Sequence, residues 1–388
     1  MKNILWLTAW WPNDMEPFSG DGIERRAKAA SLYNNITVIF IKKNPALKTR
    51  RIKLEEKTYN ENLRAWIFYY PSITGFFRFF DIIYSNYWFI RLHNRGLKTF
   101  KKKYGKPHTV QVNVAMKTGI IALMWRWFKK IQYIIVEGWS LFLPEAKPSL
   151  KDESFFFRVL TRKVLGNAVL LVTVSKHLGE MINKNVLKVP YKVIPSTVDK
   201  TIFYPSTEIA EPDIFRFIHI STLDNAKNIK EILLALRQVL DLNFRVELII
   251  HAPPKKELDE LIKTFQLKNN VTLRGEMQQI KLAESIRSCD ALVLFSLYET
   301  FGNVVIEAQA CGLPVITSDY PTFSETVVNW KNGIIANGKK SSDLCSAMVE
   351  LIKNKNQFNK NEIAENAKSC YSFERIGKML DEVYKQYF

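Results

Sequence analysis

Cysteine and histidine are scarce: the 388-residue chain has four of one and five of the other. Cys289, Cys311, Cys345 and Cys370 all fall in the second half, without paired or metal-like spacing. That excludes a disulfide framework and reads as reduced thiols in a cytoplasmic protein. The histidines are scattered, with no His-Glu-x-x-His pattern. No Asp-x-Asp pair is present to hold a metal against a diphosphate, so neither a metal nor a cofactor is expected. No run of 18 uncharged apolar residues offers a transmembrane helix. The opening MKNILWLTAWWPND holds an apolar run too short and wrongly flanked for a signal peptide, and reads as a first buried strand, Ile4 to Thr8. Acid is also in short supply: 38 carboxylates stand against 56 lysines and arginines, a net charge of +18. Such a protein meets nucleic acid, an anionic membrane surface or phosphorylated substrates. No zinc-finger spacing and no RNP-like strand accompany the charge, so no nucleic-acid partner is expected.

What is there is alternation. In the first half, strands read at Ile4–Thr8, Ile36–Ile41, Thr109–Val114, Tyr133–Val136 and Leu170–Val174, with helices between, the first from Ile23 to about Tyr33. In the second half they read at Phe215–Ile220, Val246–Ile250, Val271–Leu273, Ala291–Phe295 and Val315–Thr317. Helices at about Lys230–Leu242, Lys256–Phe265 and Lys281–Cys289 separate them. The pattern predicts an α/β fold twice over, two doubly wound Rossmann-like domains. They are expected at 1–196 and 214–370, joined by a linker at 197–213. The chain ends in an amphipathic helix, 371–388, expected to pack back toward the first domain.

The stretch SLYETFGNVVIEAQACGLPVITSD, 296–319, carries the chemistry. A buried strand leads into it. Asn303 reads as the N-cap of a short helix, Val304 to Cys311, which Gly312 and Pro314 end. In a parallel sheet, ligands sit at the carboxyl ends of the strands, beside helix N-termini whose free amides favour phosphate. Glu299 falls in that loop and Glu307 near the same end of the helix. Carboxylates accept from hydroxyls, so a ligand with both phosphate and hydroxyls is suggested. The plainer alternative is that Glu307 complements the helix dipole and Glu299 is a solvated loop charge.

Residues 73–106 stand out as well. Eight lysines and arginines face one acid, Asp81, interleaved with ten aromatics. A segment of this kind can lie in a membrane interface, aromatics in the acyl boundary and basic groups on anionic headgroups. The alternative is a helix that packs its aromatics into the core behind a solvated basic face.

Residues 296–319 resemble the family-4 retaining glycosyltransferases of the GT-B fold. Ser296, Glu299, Phe301, Gly302, Glu307, Ala308, Ala310, Gly312, Pro314 and Val315 match that family's frame of Glu, seven residues, Glu. IPSTVDKTIFYP (194–205), VTVSKHL (172–178), FIHISTLDNAKNIKEILLAL (217–236), NVTLRGEM (270–277) and SGDGIERRAKA (19–29) resemble further family segments. The resemblance implies a nucleotide-sugar in the second domain and an acceptor in the first. Glu299 and Lys227 would be catalytic, Glu299 on the donor sugar and Lys227 on the leaving phosphates. Glu307 would take the ribose hydroxyls, and amides around Gly302, Asn303 and Val304 the diphosphate. Thr222, Gly275 and Met277 would complete the donor site. Gly20, Gly22, Glu137 and Gly138 would lie on the acceptor side.

Three positions depart from the family pattern. Ser221-Thr222-Leu223 stands where Gly-Arg-Leu is usual, so one phosphate contact is missing. Gly138 stands where a His commonly follows the Glu, and Gln111 where a His is common in the preceding strand. The implied activity is metal-independent transfer of a sugar from a nucleoside diphosphate to an acceptor hydroxyl with retention. The basic aromatic segment 73–106 suggests a lipid-linked or membrane-proximal glycan acceptor, as in bacterial surface polysaccharide or glycolipid assembly, with the protein peripheral on the inner face of the plasma membrane. The alternative is a weak or inactive nucleotide-sugar-binding scaffold in such a pathway.

Overall fold

The computed structural model describes residues 1–47, 52–72, 78–206 and 214–388. Five residues of the basic aromatic segment (73–77) and most of the linker's second half (207–213) lie outside that description.

The first half begins β1 (Asn3–Thr8), α1 (Asp21–Ser31), β2 (Asn35–Asn44), β3 (Lys53–Asn60) and β4 (Leu63–Pro71). It continues α2 (Arg78–Tyr104), β5 (Thr109–Asn113), α3 (Thr118–Lys129) and β6 (Tyr133–Glu137). It ends α4 (Phe155–Gly166), β7 (Leu171–Thr173), α5 (Lys176–Asn185) and β8 (Tyr191–Val193). These strands form one sheet in the order β3-β4-β2-β1-β5-β6-β7-β8. Only β3 runs antiparallel, against β4. The second half runs β9 (Phe215–Ile220), α6 (Ile229–Asp241), β10 (Val246–His251), α7 (Lys256–Thr264) and β11 (Val271–Arg274). Then come α8 (Gln279–Arg287), β12 (Ala291–Leu294), α9 (Asn303–Ala310), β13 (Val315–Thr317) and β14 (Gly333–Ile335). Three helices close the chain: α10 (Ser341–Lys353), α11 (Lys360–Tyr371) and α12 (Phe373–Tyr387). The second sheet is β11-β10-β9-β12-β13-β14, all parallel.

The two doubly wound sheets predicted from the alternation are present. Central strands such as β1 and β12 are apolar without alternation because helices cover both of their faces, and β5 is buried throughout as well although its sequence, TVQVN, alternates. In each sheet the winding direction reverses once, at β1/β5 and at β9/β12. The loops leaving those strands diverge, which opens a crevice at their carboxyl ends.

Several strands escaped the sequence reading. β4, LRAWIFYYP, is an apolar run between β2 and the edge. β3, KLEEKTYN, is the edge strand itself, and its charges guard the open hydrogen-bonding side, which hides its alternation. β8 and β14 have three residues each, too short for a periodic signal. The N-cap expectation also needs correction. Asn303 is the first residue of α9, and the cap is Gly302, in the left-handed region at φ 80°.

The last helix, α12, lies on the first sheet's layer. Ile376, Leu380, Val383 and Tyr384 share a core with Ile4, Trp6, Ala27 and Ala30. Asn34 Nδ2 donates to Asp381 Oδ1 at 3.1 Å. The chain therefore crosses between sheets twice, and the crossings are tied together. Val198 N donates to Tyr371 O at 2.9 Å, and Thr197 Oγ1 donates to the same carbonyl at 2.8 Å.

Candidate active site

The loop from β12 to α9 carries Glu299 and Gly302. Leu297 N donates to Ala226 O at 2.7 Å, which ties this loop to the turn at Asn225–Lys227. That tie brings two distant residues together: Lys227 Nζ lies 2.6 Å from Glu299 Oε2, with both side chains largely shielded from water. Burial works against the ammonium, but the carboxylates of Glu299 and Asp224 outweigh it, and the Lys227 pKa is raised. Thr322 Oγ1 donates to Glu299 O at 2.8 Å and holds the loop from behind. At Gly302 the left-handed backbone excludes a side chain, and a Cβ would also press on Phe323 at 3.2 Å. The first amides of α9 have no intrahelical acceptor, as at any helix start.

Facing this loop is the β1–α1 connection. Gly20 is left-handed at φ 76°, and a Cβ there would sit 2.6 Å from the Trp10 backbone. Between the two walls is a cleft of about 370 Å³. It brings together Gly20, Gly22 and Gly138 from one side and Glu299, Gly302 and Asn303 from the other. The volume falls within the usual range for small-molecule sites. A Cβ at Gly138 would meet Val174 Cγ1 at 3.2 Å, tight enough that the valine would have to give way.

Other singled-out residues stand elsewhere. Thr222 is exposed and donates to Asp224 Oδ2 at 3.0 Å. Gly275 lines a separate cavity of about 180 Å³ with Lys255, Leu258 and Arg274. Met277, half-buried, and Val304 line neither cavity. Glu137 is wholly buried, and its carboxylate is turned to the backbone rather than to the cleft. It accepts from Ala115 N at 2.8 Å, Gly138 N at 3.0 Å and Trp139 N at 2.8 Å. It thus fixes the two loops that floor the cleft. Burial pushes its pKa up to about 7 despite these three donors.

Glu307 has a partner that sequence reasoning missed. Arg25 Nη1 reaches it from α1 at 2.6 Å, with side-chain exposures of 4% and 6%. Asp21 stands 3.6 Å from the same guanidinium. Burial alone would depress Arg25, yet Glu307 and Asp21 hold its pKa raised; burial pushes Glu307 up, with Arg25 pulling it back. Also missed were Arg26, Asn113, Trp10 and Trp139, all on the cleft wall. The two tryptophans meet edge to face, with centroids 5.5 Å apart. The signal for the arginines was present: two consecutive cations in an alanine-rich helix, one turn past a glycine turn.

Among the described residues no cluster of three His, Cys, Asp or Glu could hold a metal ion. None of the described helices is long and apolar enough to cross a membrane.

This geometry has known counterparts. The model of the family described as "Glycosyl transferases group 1" matches residues 205–369. Those residues belong to that family. An uncharacterized glycosyltransferase of Methanocaldococcus jannaschii is 28% identical over 246 residues, 62% of this chain and 64% of the relative, so less than two thirds of its length is spanned. Among solved structures, the sucrose-phosphate synthase of Thermosynechococcus elongatus superposes with a TM-score of 0.80 at 16% identity, covering 100% of this chain and 99% of that one. HepE of Anabaena, solved with UDP and glucose, gives 0.74 at 17% identity over 99% and 100%. The chain has the GT-B fold, with both sheets aligned to these neighbours.

Proposed function

We propose that this group 1 glycosyltransferase moves a sugar from a nucleoside diphosphate to an acceptor hydroxyl, with retention of configuration. The observation that carries the reading is the Lys227–Glu299 pair, 2.6 Å apart, beside the α9 N-terminus at the mouth of the interdomain cleft. A cation and free amides suit a diphosphate, and a carboxylate beside them suits sugar hydroxyls. In the reaction the anomeric C–O bond to the diphosphate breaks as the acceptor oxygen bonds on the same face. The acceptor proton passes to the departing phosphate. Lys227 and the amides of Gly302, Asn303 and Val304 offset the charge that develops there. Glu299 orients the transferred sugar. Glu307 receives the ribose hydroxyls, which requires Arg25 to release it. Thr222, Gly275 and Met277 belong to the donor half, Gly20, Gly22, Glu137 and Gly138 to the acceptor half. The charge being held by side chains and amides, the reaction needs no metal.

The acceptor is a glycan or lipid-linked molecule at a membrane, and the protein works from the cytoplasmic face. The support is the exposed stripe of α2. Phe80, Ile83 and Tyr87 are exposed in its first half, and Arg91, Arg95, Lys98 and Lys102 continue the same face in its second. With this 3.6-residue spacing the helix can lie flat, apolar end in the acyl boundary and cationic end on headgroups.

A second reading, a nucleotide-sugar-binding scaffold, is favoured by one observation: the absence of a side chain at Gly138. Calorimetry with nucleoside, nucleoside diphosphate and sugar nucleotide in EDTA, together with donor hydrolysis, separates them. Glu299→Gln should spare the diphosphate and penalise the sugar nucleotide and its turnover. Lys227→Ala should weaken both by about ten- to a hundred-fold, the usual worth of a charged hydrogen bond. Binding without hydrolysis or transfer selects the scaffold. Unchanged binding of every ligand by both variants, or a strict Mg²⁺ requirement, refutes the donor-site assignment.

A further inference from the structure

We propose that Arg26 is an oxyanion-binding residue of the cleft, holding a phosphoryl or carboxylate group that a substrate brings. The inference rests on the cleft being the site of sugar transfer and adds a residue that neither the family frame nor the geometry of the Lys227–Glu299 pair supplies. Arg26 sits on α1 one turn beyond Gly22, lines the cleft and is 6% exposed. Its neighbour Arg25 is equally buried but closed off by Glu307 and Asp21. Arg26 has no carboxylate partner among the described residues. Its guanidinium makes one weak hydrogen bond, Nη2 to Pro195 O at 3.3 Å, and its Nε is buried with no partner.

A guanidinium offers five donors, and leaving them unpaired out of water is costly. Burial lowers the Arg26 pKa to about 10, so it stays charged at neutral pH. The nearby Tyr384 hydroxyl donates elsewhere, to Gln111 Oε1. Around Arg26 the lining is neutral: Trp10, Ile23, Asn113, Trp139 and Ser196. Glu299, the lining's one carboxylate, is committed to Lys227. The cleft therefore carries a net positive charge on a guanidinium whose donors are mostly unpaired, which suits a phosphate or carboxylate.

Two sources can supply that anion. One is the donor's diphosphate, whose usual arginine is replaced by Ser221-Thr222-Leu223, so that Arg26 would provide the second cation from the opposite wall. The other is an anionic group on the acceptor.

The test uses full-length protein and the variants Arg26→Gln, Arg26→Met and Lys227→Ala. Calorimetry is run first with UDP, GDP and ADP, then with inorganic phosphate added to protein saturated with the tightest of these. Loss of nucleoside diphosphate affinity by about ten- to a hundred-fold in Arg26→Gln assigns the donor source. Unchanged diphosphate affinity, with phosphate bound by wild type and lost in Arg26→Gln, assigns the acceptor source. Arg26→Met should melt at or above the wild-type temperature, because it removes an unpaired buried charge. Wild-type binding of both probes by Arg26→Gln overturns the proposal, as does a lowered melting temperature of Arg26→Met with binding intact. Diphosphate affinity unchanged in Lys227→Ala refutes the donor-site assignment instead, and leaves the Arg26 result to be read from Arg26→Gln.

Discussion

Changing Glu307 to Gln removes the charge that Arg25 meets at 2.6 Å across the gap between the two sheets. Both side chains are almost wholly shielded, so water screens their attraction little. Losing one partner of a buried pair costs about 3–5 kcal/mol, because the other charge is left without compensation. Two features pull the figure down. Glutamine keeps an oxygen that still accepts from Arg25, and Asp21, at 3.6 Å and half exposed, retains part of the attraction. A loss of about 2–3 kcal/mol is expected for Glu307→Gln and about 3 kcal/mol for Arg25→Gln. The double variant should cost clearly less than the sum, with a coupling of about 2 kcal/mol in a double-mutant cycle by urea unfolding. Additivity within about 0.5 kcal/mol would refute the pair as an energetic unit.

The same pair makes a sharper statement about ligand binding. If Glu307 serves the ribose, Arg25 competes with the ligand for it. Arg25→Gln should then tighten nucleoside diphosphate binding, while Glu307→Gln weakens it by about ten-fold or more. Opposite signs are the mark of competition. Shifts of the same sign in calorimetry would mean that the pair only braces the closed form, and that the ribose lies elsewhere.

Glu137 predicts a pH dependence. Its folded pKa, about 7, lies above its ordinary value of 4.5, so the folded state binds this proton more tightly than the unfolded chain does. The contribution is fully present below about pH 4.5 and is lost as pH rises to 7, about 3 kcal/mol in all. Relative to Glu137→Gln, the wild type should therefore lose stability over that window in urea titrations; parallel curves would refute it. Membrane association is tested by flotation with anionic and neutral vesicles. Changing Lys101, Lys102 and Lys103 to Gln should weaken binding to anionic vesicles by about 3 kcal/mol at most. Ile83→Asp should abolish insertion on both, and equal binding to the two vesicle types would refute an electrostatic role.

How much of this was legible in the sequence divides by distance along the chain. The unit β12–loop–α9 was readable because its determinants are local: an apolar strand, a glycine in a turn, and a Gly-Leu-Pro stop. Even there the cap was misplaced by one residue, since a left-handed glycine and an asparagine both start helices. The Lys227–Glu299 contact was reachable only through the family frame, because 72 residues separate the partners. Arg25–Glu307, separated by 282, was out of reach. It depends on how two independently wound sheets dock, which no periodicity encodes. The family resemblance implied an acceptor-side role for Glu137, beside Gly138. Its side chain is instead used up by three backbone donors, a contest between ligand and main chain that only coordinates decide. The edge strand β3 was hidden by the very charges that keep it from pairing with another chain.

Helix α1 is where these threads meet. One face carries α12 through the buried Ala27 and Ala30, and Asn34, just past the helix, is bonded to Asp381. The other presents Gly22, Arg25 and Arg26 to the second domain and the cleft. The chain's return crossing at Tyr371–Ser372 is hydrogen-bonded to its outward crossing at Thr197–Val198. A rotation of one sheet against the other would then pivot at that paired crossing, with α12 moving as part of the first body although it follows the second in sequence. Under such a pivot Arg25 separates from Glu307 while Arg26 keeps its place beside Pro195, on the first body's side of the crossing. Opening the cleft would thus free the carboxylate without moving the open guanidinium. A donor and an anionic group could then be recognised by consecutive residues of one helix, one by leaving and one by staying.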